Sequence, residues 1–136
     1  AGLMGIAPKR SLDFVAGFIN SSDLLIAEGA AIALGESHET QAFEILRNHW
    51  EDSINHEFKE MLLLPIALTR CDAAFDFLIN VVRCEYRDYA SAAVRALKAY
   101  ADDNKQRQKI HQAVVSRNDA KVSEVYTSEF DAEDDI

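Results

Sequence analysis

Proline and glycine are scarce, with two and five among 136 residues. An all-β chain needs such residues at its many turns, so their scarcity excludes a sandwich or barrel and favours uninterrupted helices. Long apolar runs are missing too. The longest, Met61 to Leu68, contains Pro65 and falls far short of the roughly 18 residues that a membrane span requires. Lys9 and Arg10 follow the first apolar stretch instead of preceding it, which argues against a signal peptide. Cysteine occurs only as Cys71 and Cys84, at the two ends of a predicted helix. At 1.5 Å rise per residue that helix holds them about 19 Å apart, well beyond the about 7 Å that a disulfide tolerates between Cα atoms. Two free thiols suit a reducing compartment, so a cytoplasmic location is expected. No glycine-rich phosphate loop and no Ser or Cys nucleophile motif appears. No catalytic residue, metal or cofactor is therefore expected.

What is present is apolar residue in globular proportion, 49% of the chain, and an excess of acid that gives a formal net charge of −9. The excess is uneven. Residues 121–136 hold six acids against one base, a net −5, and the other 120 residues carry −4. An acidic surface repels phosphate backbones and favours basic partners. Ser128 to Ile136 reads as a solvated, frayed tail.

Three segments repeat. Leu12-Asp13-Phe14-Val15-Ala16-Gly17-Phe18-Ile19, Phe43-Glu44-Ile45-Leu46-Arg47-Asn48-His49-Trp50 and Phe75-Asp76-Phe77-Leu78-Ile79-Asn80-Val81-Val82 align, with their leading residues 31 and 32 apart. Within each, the apolar positions fall at i, i+3 and i+7, one stripe of an amphipathic helix. A more uniformly apolar segment accompanies them: Leu24 to Gly35, Phe58 to Leu68, and the alanine-rich Tyr89 to Tyr100. A helix apolar nearly all round must be covered on several sides. The links are short and polar, as antiparallel helix hairpins need. Ser37, Asp72 and Asp102 or Asp103 are candidate N-caps for the helices that follow.

Ala30-Ala31-Ile32-Ala33-Leu34-Gly35 followed by Ala42-Phe43-Glu44-Ile45-Leu46 resembles the HEAT-like repeat of phycobilisome lyases. Ile66-Ala67-Leu68 with Ala74-Phe75-Asp76-Phe77-Leu78 is similar to a second copy. Val94-Arg95-Ala96-Leu97 opens a third, whose second helix, about Lys105 to Arg117, matches poorly. The resemblance implies an all-α fold, a right-handed α-solenoid of antiparallel helix hairpins. It covers most of residues 1–117, about three and a half hairpins with the first one truncated, and leaves 118–136 as a C-terminal capping segment and acidic, disordered tail. In this family a proline-kinked first helix is common, which accommodates Pro65. Leu3-Met4-Gly5 aligns with Leu34-Gly35, so the chain is expected to be a section of a longer protein, because a solenoid end without a polar cap exposes apolar surface.

The candidate chemistry is sparse. His38-Glu39 and His56-Glu57 resemble the His-Glu pairs of the HEAT-like, iron-dependent deoxyhypusine hydroxylases, but they stand out of register between repeats. Ligands for non-haem iron would have to converge from equivalent positions. Trp50 shares the stripe position of Ile19 and Val82, which assigns it to the core, and His49 and His111 read as isolated surface or edge residues. Arg95, Lys98, Lys105, Arg107, Lys109 and Arg117 make the last repeat basic. Certain HEAT-like alkylpurine DNA glycosylases hold DNA in a basic groove, but interleaved Asp102 and Asp103 and the overall charge speak against nucleic acid. The residue after each stripe leader is acidic: Asp13, Glu44 and Asp76. Asn48 and Asn80 form a second polar row. The expected function is a non-catalytic protein- or peptide-binding scaffold favouring a basic partner on an acidic concave face. The alternative, a subunit of bilin-lyase type binding a chromophore or chromophore-bearing protein, needs a pocket for which no residues stand out.

Overall fold

A computed structural model of the chain describes residues 17–131. Seven α-helices, connected by short links, make up most of them: α1 (Leu24–Glu36), α2 (Thr40–Asp52), α3 (His56–Leu68), α4 (Asp72–Cys84), α5 (Arg87–Leu97), α6 (Asn104–Arg117) and α7 (Ala120–Tyr126). Short 3-10 turns cover Phe18–Asn20 and Lys98–Tyr100, and a π-helical turn covers Thr127–Asp131. No strand occurs among the described residues. The chain is all-α.

Local chemistry sets the helix ends. Asp23, Asn55, Asp103 and Asp119 each precede a helix, α1, α3, α6 and α7, and accept bonds from its first N–H groups. These donors have no partner within the helix, so such a cap contributes about 1 kcal/mol. Asp103 thus fulfils its expected role. Ser37 works the other way. It closes α1, donating its hydroxyl to the Leu34 carbonyl (2.6 Å), and accepts only from Glu39 N–H, ahead of α2. Asp72 lies inside α4 as its first residue. Thr69 repeats the Ser37 device 32 residues later, donating to the Ile66 carbonyl at 2.7 Å. In both turns the next residue, His38 or Arg70, is left-handed, with φ of 58° and 59°. The same hairpin turn has been made twice.

The chain divides into two compact units between Cys71 and Asp72. In the first, α1 packs chiefly on α3, and α2 packs on both. Ile19, Phe43, Leu46 and Trp50 of the predicted stripes are buried there, whereas Leu12, Asp13 and Val15 lie outside the described residues. Helices α1 and α3 approach closely at Gly35, where a Cβ would overlap the Pro65 carbonyl oxygen and come within 3.1 Å of Leu68 Cβ. Helix α3 runs on through Pro65, although the ring removes a donor that a helix interior normally uses. One expectation fails here: the first turn of α1 is not covered, and Leu25 is 77% exposed.

In the second unit α4 packs on α5 and α6, and α7 packs on α5 and α6. Phe75, Leu78 and Val82 are buried as the stripe requires, and Phe75 meets Tyr100 edge-on at 5.2 Å. Helix α5 is buried over most of its length, and its alanines let neighbouring helices approach. Arg117 ties the turns together. Its guanidinium donates to the carbonyls of Val82 (3.0 Å), in the last turn of α4, and Glu85 (2.6 Å), just beyond it, and it faces Asp119 at 3.6 Å. Arg87 holds the same Asp119 carboxylate at 3.1 Å.

The solvated tail expected from Ser128 onward does not begin there. Phe130 is 1% exposed. It stacks on Tyr126 with centroids 4.7 Å apart, and its carbonyl accepts from Arg107 at 3.3 Å. An apolar anchor outweighs the acidity of its neighbours.

Candidate partner-binding surface

Of the three acids placed in one column, Asp13 lies outside the described residues. Glu44 and Asn48 stand four apart on α2, and Asp76 and Asn80 four apart on α4. Four residues is about one helical turn, so each pair shares a face of its own helix, opposite a stripe that is buried. All four residues are exposed. Neither acid is ion-paired among the described residues. Asn80 accepts a weak bond from Cys84 Sγ at 3.6 Å.

Asp76 lies in a groove of about 380 Å³ within the second unit, between α4 and α6. Phe75, Asp76, Ile79 and Arg83 form one wall, and Lys109, Gln112, Ala113 and Ser116 the other. The groove is not uniformly acidic, because Arg83 and Lys109 share it with one carboxylate. This mixture was not apparent in the sequence, since it depends on which helix packs beside α4. A second groove of similar volume opens on the other side of Gln112, lined by Asn104, Arg107, Gln108, His111 and Tyr126.

The residues weighed for metal or nucleophilic chemistry stay apart. No group of three or more His, Cys, Asp or Glu converges among the described residues. His38 occupies a left-handed turn, and His56 opens α3. Cys71 and Cys84 are free thiols, half-buried and exposed respectively. His49 is half-buried with its ring edge-on to Phe58, and burial lowers its pKa against the opposing pull of Asp52.

The basic cluster of the last repeat is largely occupied by the protein itself. Arg95 and Lys98 reach Glu129, Arg107 reaches Phe130, and Arg117 binds backbone carbonyls. No helix among the described residues is long and apolar enough to cross a membrane. No protein-family model, curated protein or solved structure matches the chain.

Proposed function

We propose that the chain forms a HEAT-like, right-handed α-solenoid that acts as a non-catalytic scaffold for a basic protein or peptide segment. Alternate helices pack on each other within each unit, α1 on α3, then α4 on α6 and α5 on α7. That pattern supports a stack of hairpins. Two free thiols support a reducing, cytoplasmic setting.

The observation that carries the binding reading is the exposed, unpaired Asp76 on the rim of the α4–α6 groove, with Asn80 one turn further along. A Lys or Arg of an extended segment would meet Asp76 and an amide or carbonyl group would meet Asn80. Ile79 offers apolar surface between them. Arg83 and Lys109 add specificity, since a second basic side chain placed there is repelled. Glu44 and Asn48 offer the same pair on α2.

Panning a random peptide library against the chain tests this. Segments enriched in Lys or Arg are expected, and the Glu44→Gln, Asp76→Asn double variant, folded by circular dichroism, should lose them. An enriched set without basic residues, or the same set on the double variant, defeats the reading.

A further inference from the structure

The acidic-face reading leaves the basic patch of the second unit without a purpose. That patch already holds a ligand-like segment, the protein's own Glu129-Phe130. The Glu129 carboxylate lies 3.9 Å from Arg95 and 3.8 Å from Lys98. Phe130 fills a slot between the stacked Tyr126 ring and the Arg107 guanidinium, which sits 5.8 Å from the Phe130 ring centroid. The Phe130 carbonyl accepts from the same Arg107. An acid read by two cations, an aromatic ring in a slot and a backbone carbonyl held by a guanidinium are what a short peptide motif offers its receptor.

We propose that Arg95, Lys98, Arg107 and Tyr126 form a second binding site, specific for a peptide segment with an acid immediately before a phenylalanine. The chain's own Glu129-Phe130 occupies it in cis and competes with a partner's motif. The geometry favours exchange. The two ion pairs are long and partly exposed, so each holds the turn only weakly. The occupying turn is five residues of π-helix, an uncommon form that is frequent at functional sites. Phe130 is thus the principal anchor, and a phenylalanine supplied in trans replaces it like for like. The cis segment has the advantage of a high effective concentration, so the resting site is closed and a partner binds well only when its motif is better or the tail is drawn away. The ligand differs in sign from the basic segment proposed for Asp76, and the two sites stand or fall separately.

The probe is a fluorescent synthetic peptide with the sequence of residues 127–136. It is titrated into the full chain and into a Glu129→Lys, Phe130→Ser variant of it, with folding followed by circular dichroism. The vacated variant should bind the peptide at least about tenfold more tightly than the unaltered chain does, which is about 1.4 kcal/mol. Added salt should weaken the complex, and a peptide carrying serine in place of the phenylalanine should not bind. In the unaltered chain, saturating unlabelled peptide should speed hydrogen exchange of the Thr127–Asp131 amides. A folded variant that ignores the peptide overturns the proposal, as does a serine peptide that binds equally well. If the variant unfolds, unchanged exchange in the unaltered chain overturns it, because Phe130 is then fixed core.

Discussion

At the scale of single residues, two glycines of one helix make opposite demands. Gly35 is the point where α1 touches the Pro65 carbonyl, whereas a Cβ on Gly29 would meet nothing within 4 Å. Gly35→Ala should therefore lower stability by about 1–3 kcal/mol, the cost of overpacking against a backbone that cannot retreat. Gly29→Ala should raise it by about 0.5–1 kcal/mol, the ordinary helix preference for alanine. Urea midpoints measured on both variants check the pair, and a neutral Gly35→Ala would mean that the helices can part. His49 gives a second test. Burial against Phe58 lowers its pKa below 6.5, with Asp52 pulling the other way. Below 6.5 the unfolded chain then binds a proton that the folded chain resists, so the stability tied to neutral His49 is complete above that pH and declines as pH falls through the window beneath it. His49→Gln should flatten this part of the profile of urea midpoint against pH. An unchanged slope would place its cause elsewhere.

At the scale of helices, the decisive junction is where the links α4–α5 and α6–α7 meet at Asp119. Partial burial raises its pKa, but the hydrogen bond from Arg87 and those from the Lys121 and Val122 N–H groups lower it further, and the net result lies below the usual 3.8. The stabilisation is present above that value and is lost as acid carries the pH down through the lower, folded value. Asp119→Asn keeps a cap for α7 but removes the charge seen by Arg87 and Arg117. The acid limb of the unfolding profile below about pH 4 should become shallower, as read by ellipticity against pH. Phe75→Ala, which empties the contact with Tyr100, should cost about 3–5 kcal/mol. A midpoint shift worth under about 1 kcal/mol would remove Phe75 from the core. Stripes of this kind were legible because the i, i+3, i+7 pattern is a local property of the chain. Phe75, Leu78 and Val82 could be placed in the core before any contact was known. The turn at Phe130 was not legible, because its acidic neighbours describe a tail and only the slot beside Tyr126 and Arg107 makes it core. The exposed Leu25 misled for the same reason, since apolar character records the capacity to be covered rather than the presence of a cover.

For the molecule as a whole, charge is the property that sequence and structure divide between them. The sequence placed Glu44, Asn48, Asp76 and Asn80 away from the buried stripe, and they are exposed. It could not show that Arg83 and Lys109 would share a groove with Asp76, or that the basic last repeat would face the chain's own acids. Those pairings arise from contacts far apart along the chain. They bear on what the molecule can attract. Affinity for duplex DNA comes mainly from cations that displace condensed counterions, and it falls steeply with salt. Here Arg95, Lys98, Arg107 and Arg117 already meet carboxylate or carbonyl oxygens, and the chain carries a formal net charge of −9. Binding DNA would mean breaking those contacts against a repulsive field. In about 0.15 M salt, where exposed charges are screened beyond about 8 Å, the chain should leave a labelled duplex unshifted at about 10 μM, within the usual range of non-specific binding. Under the same conditions, basic peptides selected by panning should bind, and more tightly as the salt is lowered. A retarded duplex whose affinity drops with salt would instead mean that the basic patch is available to phosphate. The acidic-face reading would then have the sign of the partner wrong, whereas Arg95 and Lys98 would have exchanged Glu129 for another anion.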